Sequence, residues 1–318
     1  MTTAAAGHVP VMLDRVRGIL APALAADGAV LVDATLGRAG HTRALLGDHP
    51  GLTVIGIDAD QAAIDESRQL LAADLARVTL VQAVYDQIPA ILADLGHPSV
   101  QGILFDLGVS SPQLDDPGRG FSYSQDAPLD MRMDRAGQLT AAEVVNTYPA
   151  ARLARVFTEY GEERFARRIA DAIVRERERE PLTSTLRLAE IIRNSIPAPA
   201  RRTGGNPAKR TFQALRIEVN DELGTLRRAV PAALDVTAVG GRVVVLSYHS
   251  LEDRIVKRAF AARATDTTPP GLPVPLEAAR PAFRLLTSGA ERPDQPELDV
   301  NPRAASARLR AAERVRAA

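Results

Sequence analysis

A short polar segment directly after an apolar run carries the first recognisable chemistry in this sequence. The run 102–105 (Gly-Ile-Leu-Phe) predicts a buried strand, and residues 106–115 after it contain an acid, a glycine turn, two serines and a proline. In open α/β sheets, ligands bind at the carboxyl ends of the strands. The proline-fixed turn Ser110-Ser111-Pro112 can hold hydrogen-bond acceptors still. Acceptors that bind the N–H groups of an aromatic amine free its lone pair for a methyl donor, so the segment indicates methylation of an exocyclic amine of a base.

A glycine-containing turn earlier in the chain predicts a cofactor site. Residues 33–41 (Asp-Ala-Thr-Leu-Gly-Arg-Ala-Gly-His) follow the apolar run Val30–Asp33 and open a helical pattern. Glycines let the backbone approach a ligand closely, and free N–H groups at a helix start can bind its polar atoms. Asp58 ends the next apolar run, where an acid can bind ribose hydroxyls. Together these features predict an adenosine cofactor, and an ordinary strand-to-helix turn is the alternative.

Two further features bear on which adenosine cofactor binds. The turn lacks the G-x-G-x-x-G pattern of dinucleotide enzymes, which argues against a nucleotide-dependent oxidoreductase. Asp33, an acid at the end of the first strand, is more typical of enzymes that use S-adenosyl-L-methionine (SAM). Asp33 and Asp106 are placed either to accept hydrogen bonds from the methionine ammonium or to order the turns. Tyr85, after the third strand, is placed either to flank the adenine or to be a half-buried loop aromatic.

Apolar runs and helical patterns alternate on both sides of a central stretch. The predicted strands are Val30–Asp33, Thr53–Asp58, Val78–Val81, Ile103–Asp106 and Gly241–Ser247, with Phe283–Thr287 and Ala305–Ala311 as short candidates near the end. The predicted helices beside them are Val11–Leu24, Gly40–Leu46, Gln61–Leu75, Gln87–Asp94 and Leu251–Ala262, and Pro269–Pro281 is predicted as a loop. This alternation predicts an α/β fold with a Rossmann-like, doubly wound parallel sheet.

The central stretch contains only helical patterns. They are Ala141–Asn146, Ala150–Tyr160, Glu163–Glu180, Thr185–Ser195 and Phe212–Glu222. We therefore expect one α/β domain, formed by residues 8–127 and 226–318, that is interrupted by an inserted all-helical domain at residues 128–225.

Composition excludes several kinds of chemistry. The chain of 318 residues has no cysteine, which rules out disulfides, cysteine zinc ligands and cytosine C5 methylation through a cysteine adduct. No apolar run approaches the roughly 18 residues that span a bilayer, and no signal-peptide pattern occurs, so we expect a soluble cytoplasmic protein without a membrane partner. The histidines show no metal-ligand spacing, and no metal is predicted.

Basic residues beside glycines are the candidates for RNA contacts. Arg201-Arg202 and residues 209–212 (Lys-Arg-Thr-Phe) flank Gly204-Gly205, and basic residues beside glycine and an aromatic suit a flexible phosphate-binding loop. The arginines between residues 164 and 179 alternate with acids, which favours a solvated helix face. His249 follows the strand that ends at Ser247, and both a substrate contact and a structural hydrogen bond remain open for it.

Long motifs along most of the chain resemble one family. They are His8–Leu13, Asp33–His41, Phe105–Asp115, Arg119–Ser122, Leu129–Asp134, Tyr160–Glu163, Lys209–Asn220, Ser247–Arg254 and Asn301–Ser306. With these motifs the chain resembles the bacterial 16S rRNA cytosine-N4 methyltransferase family (MraW, or RsmH) from about His8 to Arg310.

The resemblance implies a class I SAM-dependent methyltransferase fold with a helical insert for substrate recognition. It implies methyl transfer to the N4 amine of a cytidine in the decoding region of 16S rRNA, in the small ribosomal subunit, by direct displacement at the catalytic turn Ser110-Ser111-Pro112. By motif matching, it places the SAM contacts on Gly37, Ala39, Gly40, His41, Asp58, Tyr85, Asp106 and Gln113. The oligomeric state is left open, with a homodimer as one alternative.

One position departs from the family pattern. The family usually reads Gly-Arg-Gly-Gly-His where this chain has Ala39 as the first residue after the arginine. The alanine Cβ predicts a backbone φ below zero and slightly less room for the cofactor. A SAM-binding protein without catalysis is the main alternative to an enzyme, and the intact Ser-Ser-Pro turn argues against it.

Overall fold

The computed structural model describes residues 10–201, 205–269 and 279–317. In chain order, its elements are α1 (Leu13–Leu24), β1 (Val30–Asp33), α2 (Gly40–Asp48), β2 (Thr53–Asp58), α3 (Gln61–Leu70), β3 (Val78–Gln82), α4 (Ile88–Asp94), β4 (Val100–Asp106), α5 (Ser111–Asp115), α6 (Ala141–Thr147), α7 (Ala150–Gly161), α8 (Ala166–Arg177), α9 (Thr185–Ser195), α10 (Ala198–Arg201), α11 (Lys209–Asn220), α12 (Glu222–Asp235), β5 (Thr237–Ser247), α13 (Ser250–Ala264), β6 (Phe283–Leu285), α14 (Gln295–Val300) and β7 (Arg308–Arg314).

The seven strands form one sheet in the order β3-β2-β1-β4-β5-β7-β6. Strands β1 to β5 pair in parallel, whereas β7 runs antiparallel to both of its neighbours, β5 and β6. The chain moves outward from β1 to β3 and then returns to place β4 on the other side of β1. The strand order therefore reverses between β1 and β4, which is the position where open α/β sheets bind ligands.

Alternate residues of the strands enter two separate apolar clusters. In β5, Val244 and Leu246 belong to the cluster that includes α1 and α2, while Val243 and Val245 belong to the cluster that includes α4, α12 and α13. All four residues of β1 are buried. Strands that are covered on both faces must be apolar throughout, which is why continuous apolar runs predicted them.

The predicted α/β alternation is confirmed, and β1, β2 and α9 have the predicted bounds. The last strand lies later than the predicted 305–311, because Pro302 opens a short 3₁₀ helix that ends at Ser306. Helix α8 begins after the predicted residue 163, because Glu162 has a φ of 47° and the Glu163 carboxylate accepts a hydrogen bond from the Phe165 amide. The predicted loop 269–281 lies mostly outside the described residues.

The sequence patterns did not predict helix α12. They predicted one helix, Phe212–Glu222, in this part of the chain. In the structure α11 ends at Asn220, and Asp221 adopts a φ of 46° before α12 begins. Helix α12 has Pro231 in its interior, a residue that breaks the helical pattern in sequence. The packing of α12 against the sheet maintains the helix: Leu226, Val230 and Leu234 are buried in the cluster that contains α4.

The structure divides into two compact units. The first contains the residues up to Gly108 and those from Gly224 onward, and the second is Val109–Leu223. The second unit has its own core, with residues such as Phe157, Ile169 and Leu215 from α7, α8 and α11. It begins earlier along the chain than residue 128, because Phe121 is buried in that core. Within the described ranges, no helix is long and apolar enough to cross a membrane.

Candidate active site

Three strands of the first unit end in an aspartate. Asp33, Asp58 and Asp106 are the last residues of β1, β2 and β4. Because these strands are adjacent and parallel, the three residues lie along one edge of the sheet. Asp33 and Asp106 flank the point where the strand order reverses, so the most acidic part of this edge coincides with the expected ligand position.

Asp33 is buried and orders the turn that follows it. One carboxylate oxygen accepts a hydrogen bond from Thr42 Oγ1 at 2.7 Å, and the other accepts one from the Thr35 amide at 3.4 Å. Burial raises the pKa of Asp33, and the hydrogen bond from Thr42 opposes that rise. With 2% of its surface exposed, Asp33 is occupied in holding the turn. Of the two roles that the sequence left open for this residue, the structure favours this one.

Ala39 adopts a left-handed backbone conformation, so the prediction of a negative φ is wrong. Its φ is 54°, and Gly37 in the same turn has a φ of 52°. Ala39 is the N-cap of α2. Its amide donates to the Leu36 carbonyl at 2.7 Å, and its carbonyl accepts from the Arg43 amide at 2.8 Å. A left-handed conformation costs an L-residue roughly 1–2 kcal/mol, and the hydrogen bonds that close the turn override this preference.

The start of α2 packs against the segment that precedes α1. A Cβ added at Gly40 would lie 2.5 Å from Pro10 Cγ. His41 Nε2 lies 3.0 Å from the Val11 carbonyl oxygen, so this nitrogen carries the proton in that hydrogen bond. The other ring nitrogen, Nδ1, lies 3.7 Å from Asp106 Oδ2. The His41 ring is therefore buried between these groups, and its backbone amide is the part placed at the open start of the helix.

Asp58 is a half-buried carboxylate held by two backbone amides. Oδ2 accepts from the Gly37 amide and Oδ1 from the Asp60 amide, each at 2.9 Å. Burial raises the pKa of Asp58 to about 6, although both hydrogen bonds favour the charged form. A carboxylate offers about four lone-pair directions, so Asp58 retains acceptor sites for two ligand hydroxyls.

Tyr85 lies in a short 3₁₀ helix after β3. Its ring packs edge-on against Phe105 of β4, with ring centroids 5.6 Å apart and an interplanar angle of 89°. The side chain is half-buried. This edge-on packing fixes the ring position and leaves the flanking role an open prediction.

Asp106 contacts a residue that sequence reasoning gave no role of its own. Tyr248, directly after β5, donates from its hydroxyl to Asp106 Oδ1 at 2.6 Å. Burial raises the pKa of Tyr248 well above its usual value and Asp106 adds to this rise, so the hydroxyl keeps its proton and acts as the donor. Tyr248 could have been found from its position, because it follows a strand at the ligand-binding edge.

His249 is the N-cap of α13. Its Nδ1 accepts from the Glu252 amide at 3.4 Å, while the Glu252 carboxylate accepts from the His249 amide at 3.1 Å. This reciprocal pair is a capping box, and the structure therefore favours the structural role for His249. The sequence signal for this role is a glutamate, Glu252, three positions after the N-cap residue, which is the spacing of a capping box.

The Ser-Ser-Pro turn belongs to the second unit. Ser111 and Pro112 are the first two residues of the five-residue helix α5. The Ser110 amide donates to Gln113 Oε1 at 3.0 Å, and the Ser110 carbonyl accepts from the Leu114 amide at 3.3 Å. Gln113 is buried, with 5% of its surface exposed. Its amide oxygen therefore fixes the turn.

The predicted RNA-binding segment 209–212 is divided between surface and core: Lys209 and Arg210 are exposed, whereas Thr211 and Phe212 are buried. Phe212 is 4% exposed and packs edge-on against Tyr123, with ring centroids 5.7 Å apart. Thr211 is completely buried. Arg201 Nε donates to the Ile196 carbonyl at 2.7 Å. The expectation of a flexible loop is wrong for residues 209–212, because they form the first turn of α11 and Phe212 faces its apolar side. Arg202 and Gly204 lie outside the described residues.

The residues at the edge of the first unit fit SAM chemically. A sulfonium cofactor with an ammonium and two ribose hydroxyls needs hydrogen-bond acceptors, and Asp58 and Asp106 place carboxylates at the ends of β2 and β4. In the ranges that the structure describes, no cluster of three or more histidine, aspartate or glutamate side chains could hold a metal ion.

The seven-stranded sheet, with a single antiparallel strand inserted between β5 and β6, defines the class: this is the class I SAM-dependent methyltransferase fold. The cofactor of the class is S-adenosyl-L-methionine. The chain belongs to the MraW methylase family, whose sequence model matches residues 5–315.

Relatives of the chain are similar over nearly their whole length. The ribosomal RNA small subunit methyltransferase H of Thermobifida fusca is 63% identical, over 98% of this chain and 94% of that protein. The protein of the same name from Streptomyces avermitilis is 59% identical, over 97% of both chains. The structural match to a crystal structure of an rRNA methylase from Streptococcus thermophilus covers 96% of this chain and 94% of that chain. The two sequences are 13% identical and the TM-score is 0.41, so this likeness is too weak to add to the assignment.

Proposed function

We propose that this chain transfers a methyl group from SAM to the N4 amine of a cytidine in the decoding region of 16S rRNA, within the small ribosomal subunit. Family membership and the names of relatives at about 60% identity support an rRNA substrate of the small subunit. The observation that carries the proposal is the placement of Asp58 and Asp106 at one sheet edge, with the Ser-Ser-Pro turn beginning four residues after Asp106 along the chain.

The first unit binds the cofactor in this proposal. Asp58 accepts hydrogen bonds from the ribose hydroxyls, and Asp106 accepts from the methionine ammonium. The turn from Gly37 through Ala39 approaches the amino-acid part, and the backbone amides of Gly40 and His41 face it at the helix start. Tyr85 flanks the adenine, and Gln113 contributes a further cofactor contact. When bound, SAM supplies an electrophilic methyl group on a positively charged sulfur.

The Ser110-Ser111-Pro112 turn holds the acceptor amine. Serine hydroxyls or backbone carbonyls of the turn accept the two N–H groups of the cytidine amine, which directs its lone pair toward the methyl group. Asp106 orients the cofactor and does not act as the base. The neutral amine has a far higher pKa than any carboxylate, so the proton leaves after the methyl group is transferred, when the nitrogen carries a positive charge.

Substrate recognition falls to the helical insert, predicted from the sequence at residues 128–225, nearly all of which belongs to the second compact unit Val109–Leu223. The target cytidine must leave its stack to reach an active site. The insert and the shape of the assembled subunit then supply specificity for the RNA. We place this reaction in the cytoplasm, where ribosomal subunits assemble.

Methyl transfer from labelled SAM tests the proposal directly. Small ribosomal subunits that lack the modification are the substrate, naked 16S rRNA is the control, and mass spectrometry locates the methyl group. Label on cytidine N4 supports the proposal. Label on a different atom or base refutes the stated acceptor, and SAM binding without any transfer to either substrate favours a binding protein without catalysis.

Variants of the turn test its role in the same assay. Ser110→Ala combined with Ser111→Ala should lower the single-turnover rate by about a hundredfold or more, because the loss of one hydrogen-bond partner in a transition state already has an effect of about a hundred- to a thousandfold. Ser124→Ala, an exposed serine in the same unit, is the matched control and should retain the wild-type rate. An unchanged rate in the double variant would leave only the backbone carbonyls as acceptors.

A further inference from the structure

Tyr248 contacts a carboxylate that we assign to cofactor binding, although no motif argument gave Tyr248 a role. Its hydroxyl donates to Asp106 Oδ1 at 2.6 Å, while His41 Nδ1 lies 3.7 Å from Oδ2. The Asp106 side chain keeps 25% of its surface exposed. The two aromatic rings thus restrict the rotation of the carboxylate while part of it stays accessible to a ligand.

Tyr248 is itself held in place by the start of α13. Its amide donates to Glu252 Oε2 at 2.7 Å, and the same oxygen accepts the His249 amide at 3.1 Å. Glu252 is buried, with 3% of its surface exposed. A Cβ added at Gly108 would lie 3.6 Å from Tyr248 Cδ2, so the ring also packs against the backbone just after β4. The phenol is therefore a fixed donor.

A fixed phenol has a specific effect on a carboxylate. An aspartate side chain rotates about two bonds, and a short hydrogen bond to a charged oxygen selects one orientation. The Asp106 side chain is 25% exposed while the phenol holds it, so a cationic donor can reach the carboxylate. Pre-orienting an acceptor in this way lowers the entropy that a ligand loses on binding.

We propose that Tyr248 is a positioning residue for the cofactor: it holds Asp106 in the orientation that accepts hydrogen bonds from the methionine ammonium of SAM. This inference rests on the cofactor role proposed for Asp106. Tyr248 acts on the amino-acid part of the ligand and has no effect on the adenosine part, which Asp58 binds at the end of a different strand.

Two ligands that differ only in the amino-acid part separate these contributions. S-adenosylhomocysteine carries the ammonium, and 5′-methylthioadenosine lacks the whole amino-acid group. Calorimetric titration of the full chain should show that Tyr248→Phe binds S-adenosylhomocysteine about tenfold more weakly, because a hydrogen bond to a charged group is lost. Its affinity for 5′-methylthioadenosine should stay within about twofold of wild type, which also shows that the variant is folded.

A double-mutant cycle tests whether the effect passes through Asp106. In an Asp106→Asn background, Tyr248→Phe should cause little further loss of S-adenosylhomocysteine affinity. Tyr123→Phe, a half-buried tyrosine in the second unit, is the matched control and should bind both ligands as wild type does.

The possible results separate the two proposals. If the wild-type chain binds S-adenosylhomocysteine no better than 5′-methylthioadenosine, the ammonium role of Asp106 fails and the role of Tyr248 fails with it. If wild type discriminates but Tyr248→Phe discriminates equally well, only the positioning role is overturned. An equal loss of affinity for both ligands would also overturn it, because that pattern indicates general damage to the sheet edge.

Discussion

The affinity of this chain for S-adenosylhomocysteine should fall as the pH drops from 7 to 5, with Asp58 as the cause. Ribose hydroxyls donate hydrogen bonds, so they favour the charged carboxylate over the protonated one. Burial raises the pKa of Asp58 to about 6 in the free protein. From this pKa, the charged fraction is about 90% at pH 7 and about 10% at pH 5. The apparent dissociation constant should therefore rise about tenfold over these two pH units.

Calorimetric titration at several pH values measures this change. Titrations near pH 6 in two buffers of different ionisation enthalpy should show proton release on binding, because the ligand selects the charged form. Asp58→Asn cannot titrate, so it should bind more weakly at pH 7 and lose the dependence on pH. The comparison isolates Asp58, because every other titratable group is the same in wild type and Asp58→Asn. A flat affinity in wild type between pH 5 and 7, or an unchanged slope in Asp58→Asn, would refute the reasoning.

The same carboxylate should act on the stability of the free protein in the same pH range. Because its pKa is higher in the folded state than the usual aspartate value near 4, the folded chain binds the proton more tightly than the unfolded chain does. The stabilisation is thus fully present below about pH 4 and is lost as the pH rises through 6. A shift of about two units corresponds to at most about 3 kcal/mol. Relative to wild type, Asp58→Asn should therefore show a smaller decrease in unfolding free energy between pH 4 and 7.

Three further changes test the packing that surrounds these sites. Phe212→Ala should reduce the unfolding free energy in urea by about 3–5 kcal/mol, because the ring is buried; a variant as stable as wild type would contradict the placement of this ring in the core. Gly120→Ala should cost more than the roughly 1–2 kcal/mol of left-handed strain, because its Cβ would overlap the Pro128 carbonyl. Gly205→Ala, also left-handed but in open space, is its control and should show the strain alone. Glu252→Ala should cost about 1–3 kcal/mol by leaving two backbone amides without their acceptor, and recovery of stability in Glu252→Gln would confirm that cause.

Local patterns in the sequence determined much of the parallel sheet. The runs that became β1 and β2 are apolar because both faces of the sheet are covered, and this requirement acts on each residue separately. The same local reading placed Asp33, Asp58 and Asp106 at strand ends, since an acid that interrupts an apolar run marks where the strand ends. The ordered motifs identified the family, which the match over residues 5–315 confirms.

Local sequence patterns did not predict the backbone conformation of the turn that contains Ala39. The preference of alanine for negative φ predicted the wrong conformation at Ala39, because hydrogen bonds that close the turn outweigh a cost of roughly 1–2 kcal/mol. The sequence also did not predict that β7 lies between β5 and β6, since a short apolar run does not specify which strands pair with it.

Only the tertiary structure decided which polar groups meet. Tyr248 and Asp106 are 142 residues apart in sequence and are joined by one hydrogen bond. Asp33 is buried against Thr42, whereas Asp106 at the end of an adjacent strand keeps an exposed surface. Phe212 looked available for RNA from its basic neighbours, and packing places it in a core. Helical and strand periodicities indicate which face of an element is buried. The residues that pack against that face come from another part of the chain, so local sequence patterns could not identify them.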